Sequence, residues 1–240
     1  MKRHSCSDCG VINCKNQDKK YPKFCPTKDL SDDEIIEIEK LYNEDNNREI
    51  SRISAEIEDE FYCKYTRVEE IIEFAKRMKM NKIGIAACVG LFEESRIFAK
   101  ILTKHNFEVY SVACKVGAMK KTEITGLDES KTKVTGNVMC NPILQAKILN
   151  DEKTDLNVII GLCVGHDSLF YKYSDALVTP TPSGSAKDIC TLGLNPLEYF
   201  TGMHVLFIHL VNVLIVSRCP IYLTSSRRPL TLRSHTTTSA

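Results

Sequence analysis

The stretch Asn157–Asp167, NVIIGLCVGHD, decides the fold class of this chain. Its first half is an apolar, β-branched run that ends in glycine, which is typical of a buried strand in a parallel sheet. Its second half places Cys163, His166 and Asp167 in a turn directly after that strand. Because ligands of open α/β sheets bind outside the carboxyl ends of the strands, these three residues are candidate site residues.

Two upstream stretches repeat this pattern, and each again ends in a cysteine that is followed closely by glycine. KIGIAACVG places Cys88 after an apolar run, and EVYSVACKVG places Cys114 after another. Cys140 belongs to MCNP, in which Pro142 suits the first position of a helix. If the strands are parallel, these three thiols and that of Cys163 lie at one edge of one sheet. The sequence therefore predicts a possible second metal site or redox site there.

Two interpretations of this sheet-edge set stay open. Helix N-termini after Cys88, Cys140 and Cys163 would favour the thiolate, which is the form that binds metals or attacks. His166 would then be a ligand or a general acid/base, with Asp167 to orient it. Cysteine is also among the most buried residue types. The alternative is therefore a cysteine-lined core, with His166 and Asp167 capping the following helix.

Alternation of strand and helix from Asn81 onward predicts an α/β domain with a parallel open sheet of about four strands and flanking helices. Upstream, Ser31 and Glu34 form a capping box, and apolar residues at helical spacing predict helices as far as Phe61 and again after Thr66. The predicted domains are a Cys-rich metal-binding module at 1–30, a helical segment packing on the body at 31–80, the α/β domain at 81–203 and an atypical tail at 204–240.

A dense cysteine cluster opens the chain at the spacing C-x2-C-x4-C-x10-C, formed by Cys6, Cys9, Cys14 and Cys25. The intervening residues are turn formers with almost no apolar side chains, so the segment has no core of its own and would need a metal to supply folding energy. Four thiolates suit tetrahedral zinc or an iron–sulfur cluster, and the spacing does not decide between the two. The alternative is a disordered segment with incidental free cysteines.

Composition and charge narrow the class of protein. The chain has 240 residues, a net charge of +1 and 11 cysteines. The first residues, MKRHSCSDCG, lack the apolar core of a signal peptide, which predicts a cytoplasmic protein with reduced thiols that serve as metal ligands or redox groups. The body shows no nucleic-acid footprint. A dinucleotide-binding glycine motif and a Walker loop are absent from the sequence.

The tail differs in composition from everything before it. Residues 204–240 contain four arginines and no lysine, aspartate or glutamate. Their apolar stretch, HVLFIHLVNVLIV, is shorter than the roughly 20 residues that a membrane helix needs. We therefore expect a disordered or artefactual extension and no membrane partner; a packing helix and a membrane anchor are the alternatives.

Six motifs of this chain resemble those of one uncharacterised bacterial and archaeal family, a domain of unknown function whose members are labelled predicted metal-binding proteins. The motifs are CSDCGVINC, TRVEEIIEFAKRM, KIGIAACVGL, CKVGA, MCNPILQAKILN and GLCVGHDSLFYKYS. The resemblance covers the chain from Cys6 to Leu197. It implies metal binding through the N-terminal cysteines, with the sheet-edge set as a second candidate, and it implies no known reaction or substrate.

Two function classes follow from these patterns. In the first, the chain is a metal-binding protein whose clustered cysteines hold zinc or an iron–sulfur centre for structure, storage or sensing. In the second, it is an iron–sulfur or thiol-dependent redox enzyme with its site at the C-terminal edge of the sheet. The sequence leaves open which class applies, and it leaves the oligomeric state open as well.

Overall fold

The structure is a computed structural model, and it describes residues 4–16 and 20–181. The described residues form two compact units, residues 4–16 and 20–62 with 70–80, and residues 63–69 with 81–181. The predicted tail at 204–240 and the last part of the predicted α/β domain lie outside the described residues. Among the helices of the described ranges, none is both long enough and apolar enough to cross a membrane.

The first unit is helical. Its helices are α1 (Pro26–Asp29), α2 (Asp32–Tyr42), α3 (Asn47–Phe61) and the part of α4 (Arg67–Arg77) that begins at residue 70. The predicted capping box starts α2, since the Ser31 N–H donates to Glu34 Oε2 at 2.8 Å and the Glu34 N–H donates to Ser31 Oγ at 3.3 Å. The predicted stripe of α3 is buried at Ile53 and Ile57, whereas α2 has no buried residue.

Arg77 joins α4 to α3 through a network of carboxylates. Its guanidinium donates to Glu60 Oε2 at 2.7 Å and to Glu73 Oε1 at 2.8 Å, and it lies 3.5 Å from Glu56 Oε2. The hydrogen bond from Arg77 lowers the pKa of the Glu60 carboxyl. One cation thus offsets part of the repulsion among three anions.

We expect Arg77→Gln to lower the melting temperature, and to lower it more at low salt than at high salt, because salt screens the repulsion left among the carboxylates. Thermal unfolding at two ionic strengths measures this difference. Arg52→Gln is the matched control, since Arg52 pairs with Glu56 from a more exposed position, with 56% of its side chain accessible, and exposed pairs contribute little. A loss that is equal at both ionic strengths would contradict the network.

The second unit contains a parallel four-stranded sheet, which confirms the predicted α/β class. Its strands are β1 (Lys82–Ala87), β2 (Glu108–Ala113), β3 (Leu156–Ile160) and β4 (Leu177–Pro180), in the order β2-β1-β3-β4. All three pairings are parallel. The helices that follow the strands or lie between them are α5 (Phe92–Lys104), α6 (Lys121–Thr125), α7 (Pro142–Asp151) and α8 (His166–Tyr173).

Glycines in the left-handed conformation end two elements of this unit. The strand β3 stops at Ile160, because Gly161 has a φ of 63°. The helix α6 is capped by Gly126, which has a φ of 69°. The helix whose start the sequence predicts at Pro142 runs to Asp151.

The core of the second unit lies between the sheet and the helices α7 and α8. It is formed by Ala86, Val112, Ala146, Leu149, Ile159 and Phe170, all at most 5% exposed. Ala86 and Val112 are register partners on β1 and β2, so these two strands present the same face to α7. The side chains two positions further along each strand point to that face as well.

Candidate functional site

Cys88 and Cys114 lie side by side where β1 and β2 end. Ala87 and Ala113 are the last register partners of the two strands, so the cysteines are the next pair. The Cys114 N–H donates to the Ala87 carbonyl at 2.8 Å, which continues the ladder by one bond. Since side chains alternate along a strand, both cysteines follow Ala86 and Val112 onto the face that α7 covers.

Cys140 reaches the same place from the turn that begins α7. The Asn141 N–H donates to the Cys114 carbonyl at 2.7 Å, which fixes this turn against the end of β2. Asn141 Oδ1 then accepts from the Leu144 N–H at 3.1 Å, and Pro142 takes the first helical position. A polar N-cap followed by proline is a strong helix-start signal, so the sequence MCNP itself positions the cysteine directly before the helix.

Three of the predicted sheet-edge thiols converge at this point. The Cys114 thiol is close enough to Cys140 and to Cys88 for both cysteines to raise its pKa. The Val89 N–H also donates to Cys114 Sγ at 3.4 Å. Cys114 is only 1% exposed, whereas Cys88 and Cys140 are half-buried. Solvent therefore reaches this group of thiols through Cys88 and Cys140.

Burial determines the protonation of the central thiol. It is the main cause that raises the pKa of the Cys114 thiol to about 11, where the Val89 N–H lowers this pKa and the neighbouring Cys140 and Cys88 raise it. Removing a thiolate from water is unfavourable unless hydrogen bonds or cations compensate it. At neutral pH Cys114 is therefore a protonated thiol that can donate to a neighbouring sulfur.

Gln145 joins the two strand ends that carry these cysteines. It is fully buried on α7, and its Nε2 donates to the Val112 carbonyl at 2.7 Å and to the Ala87 carbonyl at 3.3 Å. Among the described residues, its Oε1 is buried and has no hydrogen-bond partner. Sequence reasoning missed this residue, although one signal was present: Gln145 stands four residues before Leu149, on the apolar face of the helix.

The other predicted residues of this edge make capping contacts. Cys163 is exposed in the turn after β3, and its carbonyl accepts from the N–H groups of His166 at 2.9 Å and Asp167 at 3.1 Å. Asp167 Oδ1 accepts from the Ser168 N–H at 2.7 Å, in the first turn of α8. The Asp167 charge also helps to raise the pKa of Tyr171, for which burial is the larger cause.

The N-terminal cysteines lie in a segment without a core. Cys6 and Cys14 are exposed and Cys9 and Cys25 are half-buried, and all four thiols are free. None of the described residues before Ser31 is buried. A short turn holds the first pair, since the Cys9 N–H donates to the Cys6 carbonyl at 3.1 Å. Within residues 4–16 and 20–181, no three His, Cys, Asp or Glu side chains are arranged to hold a metal ion.

Comparison with known proteins places these features in a family. A family model described as "Protein of unknown function (DUF1847)" matches residues 25–181. The "Uncharacterized protein MJ0455" of Methanocaldococcus jannaschii is 50% identical to this chain over 167 residues, which cover 69% of this chain and 83% of the relative. The family match includes Cys25 and the four sheet-edge cysteines, while Cys6, Cys9 and Cys14 precede it.

Proposed function

This chain belongs to the DUF1847 family of proteins of unknown function, and we propose that it binds a metal centre, zinc or an iron–sulfur cluster, through Cys6, Cys9, Cys14 and Cys25. The observation that supports this proposal is the combination of four free thiols with a segment in which no described residue is buried. A segment that buries nothing gains little from the hydrophobic effect, so metal ligation would supply its folding free energy.

The donor set fits such a centre. Four cysteine thiolates are the usual ligands of structural zinc and of both common types of iron–sulfur cluster. Each of the four thiols is at least partly accessible, so an ion can reach it from solvent. A bound zinc would hold the segment together, whereas a cluster would add one-electron transfer. The role of this chain's own residues is to bring the four thiolates together around the centre.

We expect protein purified without oxygen to contain about one metal centre per chain, and Cys6→Ser/Cys9→Ser to lose it, since two of four ligands cannot retain a structural metal. Elemental analysis and the visible spectrum measure the loss and separate colourless zinc from a coloured cluster. Limited proteolysis should then cut before Ser31 more readily in the variant, while the thermal transition of the α/β unit stays unchanged.

Cys88→Ser/Cys140→Ser is the matched control, because it removes the same number of thiols from the sheet edge. It should retain the metal. Unchanged metal content in Cys6→Ser/Cys9→Ser would refute the N-terminal centre. Loss of metal in the control alone would move the centre to the edge of the sheet.

A further inference from the structure

We propose that Cys114 and Cys140 form a reversible dithiol–disulfide site that reacts with small anionic disulfides. This site is separate from the N-terminal cysteines and goes beyond metal binding. Two observations support the pairing. The residue after Cys140 is joined to Cys114 by the Asn141 N–H to Cys114 carbonyl bond at 2.7 Å, and Cys140 is close enough to the Cys114 thiol to raise its pKa. A disulfide needs about 4.4–6.8 Å between Cα atoms, and this backbone hydrogen bond brings the turn that carries Cys140 next to Cys114.

Backbone restraint favours Cys140 over Cys88 as the partner of Cys114. Cys140 also contributes more than Cys88 to the raised pKa of the Cys114 thiol. Cys88 is also held by its backbone, since its N–H donates to the Ile160 carbonyl at 2.9 Å within the sheet. Cys140 lies in the turn before α7, where a small backbone adjustment can complete the geometry of a disulfide.

Accessibility assigns the two roles. Cys140 is half-buried and stands just before the N-cap of α7, so a small disulfide can reach it from solvent, whereas Cys114 is 1% exposed. The Cys140 thiolate attacks one sulfur of the small disulfide, the bond between the two sulfurs breaks, and the first small thiol leaves with the proton that Cys140 lost. Cys114 then attacks the Cys140 sulfur, and its proton goes to the second small thiol. Two protein thiols are oxidised and one disulfide is reduced to two thiols.

Lysines around the turn indicate the charge of the partner molecule. Lys115 Nζ donates to the Val138 carbonyl at 2.6 Å, two residues before Cys140. Lys121 Nζ donates to the Gly136 carbonyl at 2.8 Å and to a threonine hydroxyl. Because these acceptors are neutral oxygens, the hydrogen bonds do not offset the charges of the two lysines along the segment that leads to Cys140. A positive rim attracts a disulfide that carries carboxylates and repels one that carries amines.

The test uses the reduced full-length protein and two probes, glutathione disulfide, which is anionic, and cystamine, which is cationic. Free thiols are alkylated at time points and the peptides are mapped by mass spectrometry. We expect a peptide linked through Cys114 and Cys140 that dithiothreitol reverses, formed faster with glutathione disulfide. A link between Cys88 and Cys114, or no link, would overturn the site. A faster reaction with cystamine would overturn the assignment of an anionic partner.

Variants separate the two roles. Cys114→Ala should stop the reaction at a mixed disulfide on Cys140, and Cys140→Ser should leave Cys114 reduced. Cys163→Ser is the control, because it removes an exposed cysteine from the same edge and should change nothing. If Cys114→Ala does not fold, the unchanged protein still tests the proposal, because mass spectrometry shows whether a peptide linked through Cys114 and Cys140 forms. The N-terminal cysteines lie on other peptides, so metal loss there cannot imitate this result.

Discussion

Gly84→Ala is expected to lower the free energy of unfolding by roughly 2–3 kcal/mol, which is the usual cost of overpacking a core. A Cβ atom at Gly84 would lie 2.0 Å from Asn157 Oδ1 and 3.0 Å from Leu149 Cδ1. Both neighbours are fully buried, on the adjacent strand β3 and on α7. The strand position therefore requires glycine because of its surroundings, and not because of its backbone conformation.

Asn157 cannot move aside without further cost. Its Oδ1 accepts from Thr154 Oγ1 at 2.8 Å, and its Nδ2 donates to Ser174 Oγ at 2.9 Å. A shift that relieved the clash would break these buried hydrogen bonds, each of which costs about 1–3 kcal/mol when a partner is left unsatisfied. The clash and the polar network are therefore energetically coupled.

Urea unfolding of four proteins tests this coupling: the unchanged chain, Gly84→Ala, Asn157→Ala and the double variant. We expect Gly84→Ala to cost less in the Asn157→Ala background, because the oxygen that opposes the new methyl group is gone. Gly90→Ala is the control, since its Cβ would meet nothing closer than Cys88 Sγ at 3.8 Å. If Gly84→Ala costs the same free energy in both backgrounds, the clash with Asn157 is not the cause of the destabilisation.

The sheet and its edge were predictable because the signals are local. Apolar β-branched runs that end near glycine give both the strands and their carboxyl ends, and parallel pairing then brings the ends together. This reasoning predicts the positions of Cys88 and Cys114 at the edge of the sheet. Cys140 followed from the helix start at Pro142, although its contact with Cys114 depends on the path of residues 115–139, which has no periodic pattern.

The buried polar residues were not predictable, because their partners come from distant parts of the chain. Asn157 was read as the first residue of an apolar strand, and only the structure places Thr154 and Ser174 beside it. Gln145 stands in the motif MCNPILQAKILN as a polar residue among apolar ones, and its acceptors belong to β1 and β2. Periodicity assigns a residue to a face, but it does not identify the polar group on the opposite side.

Gln145→Glu is expected to have the largest effect of all, roughly 3–5 kcal/mol at neutral pH, which is the cost of an uncompensated buried charge. Gln145 is 0% exposed, and its Nε2 donates to two backbone carbonyls, those of Val112 and Ala87. A carboxylate at this position would place negative charge against two acceptor oxygens. The introduced carboxyl must therefore be protonated to fit, and a protonated carboxyl has one donor where the amide has two.

The loss should depend on pH with a definite sign. Burial and the two carbonyls raise the pKa of the introduced carboxyl in the folded state far above its unfolded value of about 4.3. Below that value both states are protonated, and the charge costs nothing. As pH rises above it, the unfolded state ionises first, so stability falls by about 1.4 kcal/mol per pH unit until the folded state also ionises.

Gln145→Met is the matched control, because it keeps the length of the side chain and cannot ionise. It loses the same two hydrogen bonds and should cost about 1–3 kcal/mol at every pH. Urea unfolding of both variants between pH 4 and pH 8, with the unchanged chain at each pH, isolates the effect of the charge. A difference between the two variants that stays constant over this range would mean that water reaches the side chain, and that Gln145 does not close the strand ends beneath the thiols of Cys88 and Cys114.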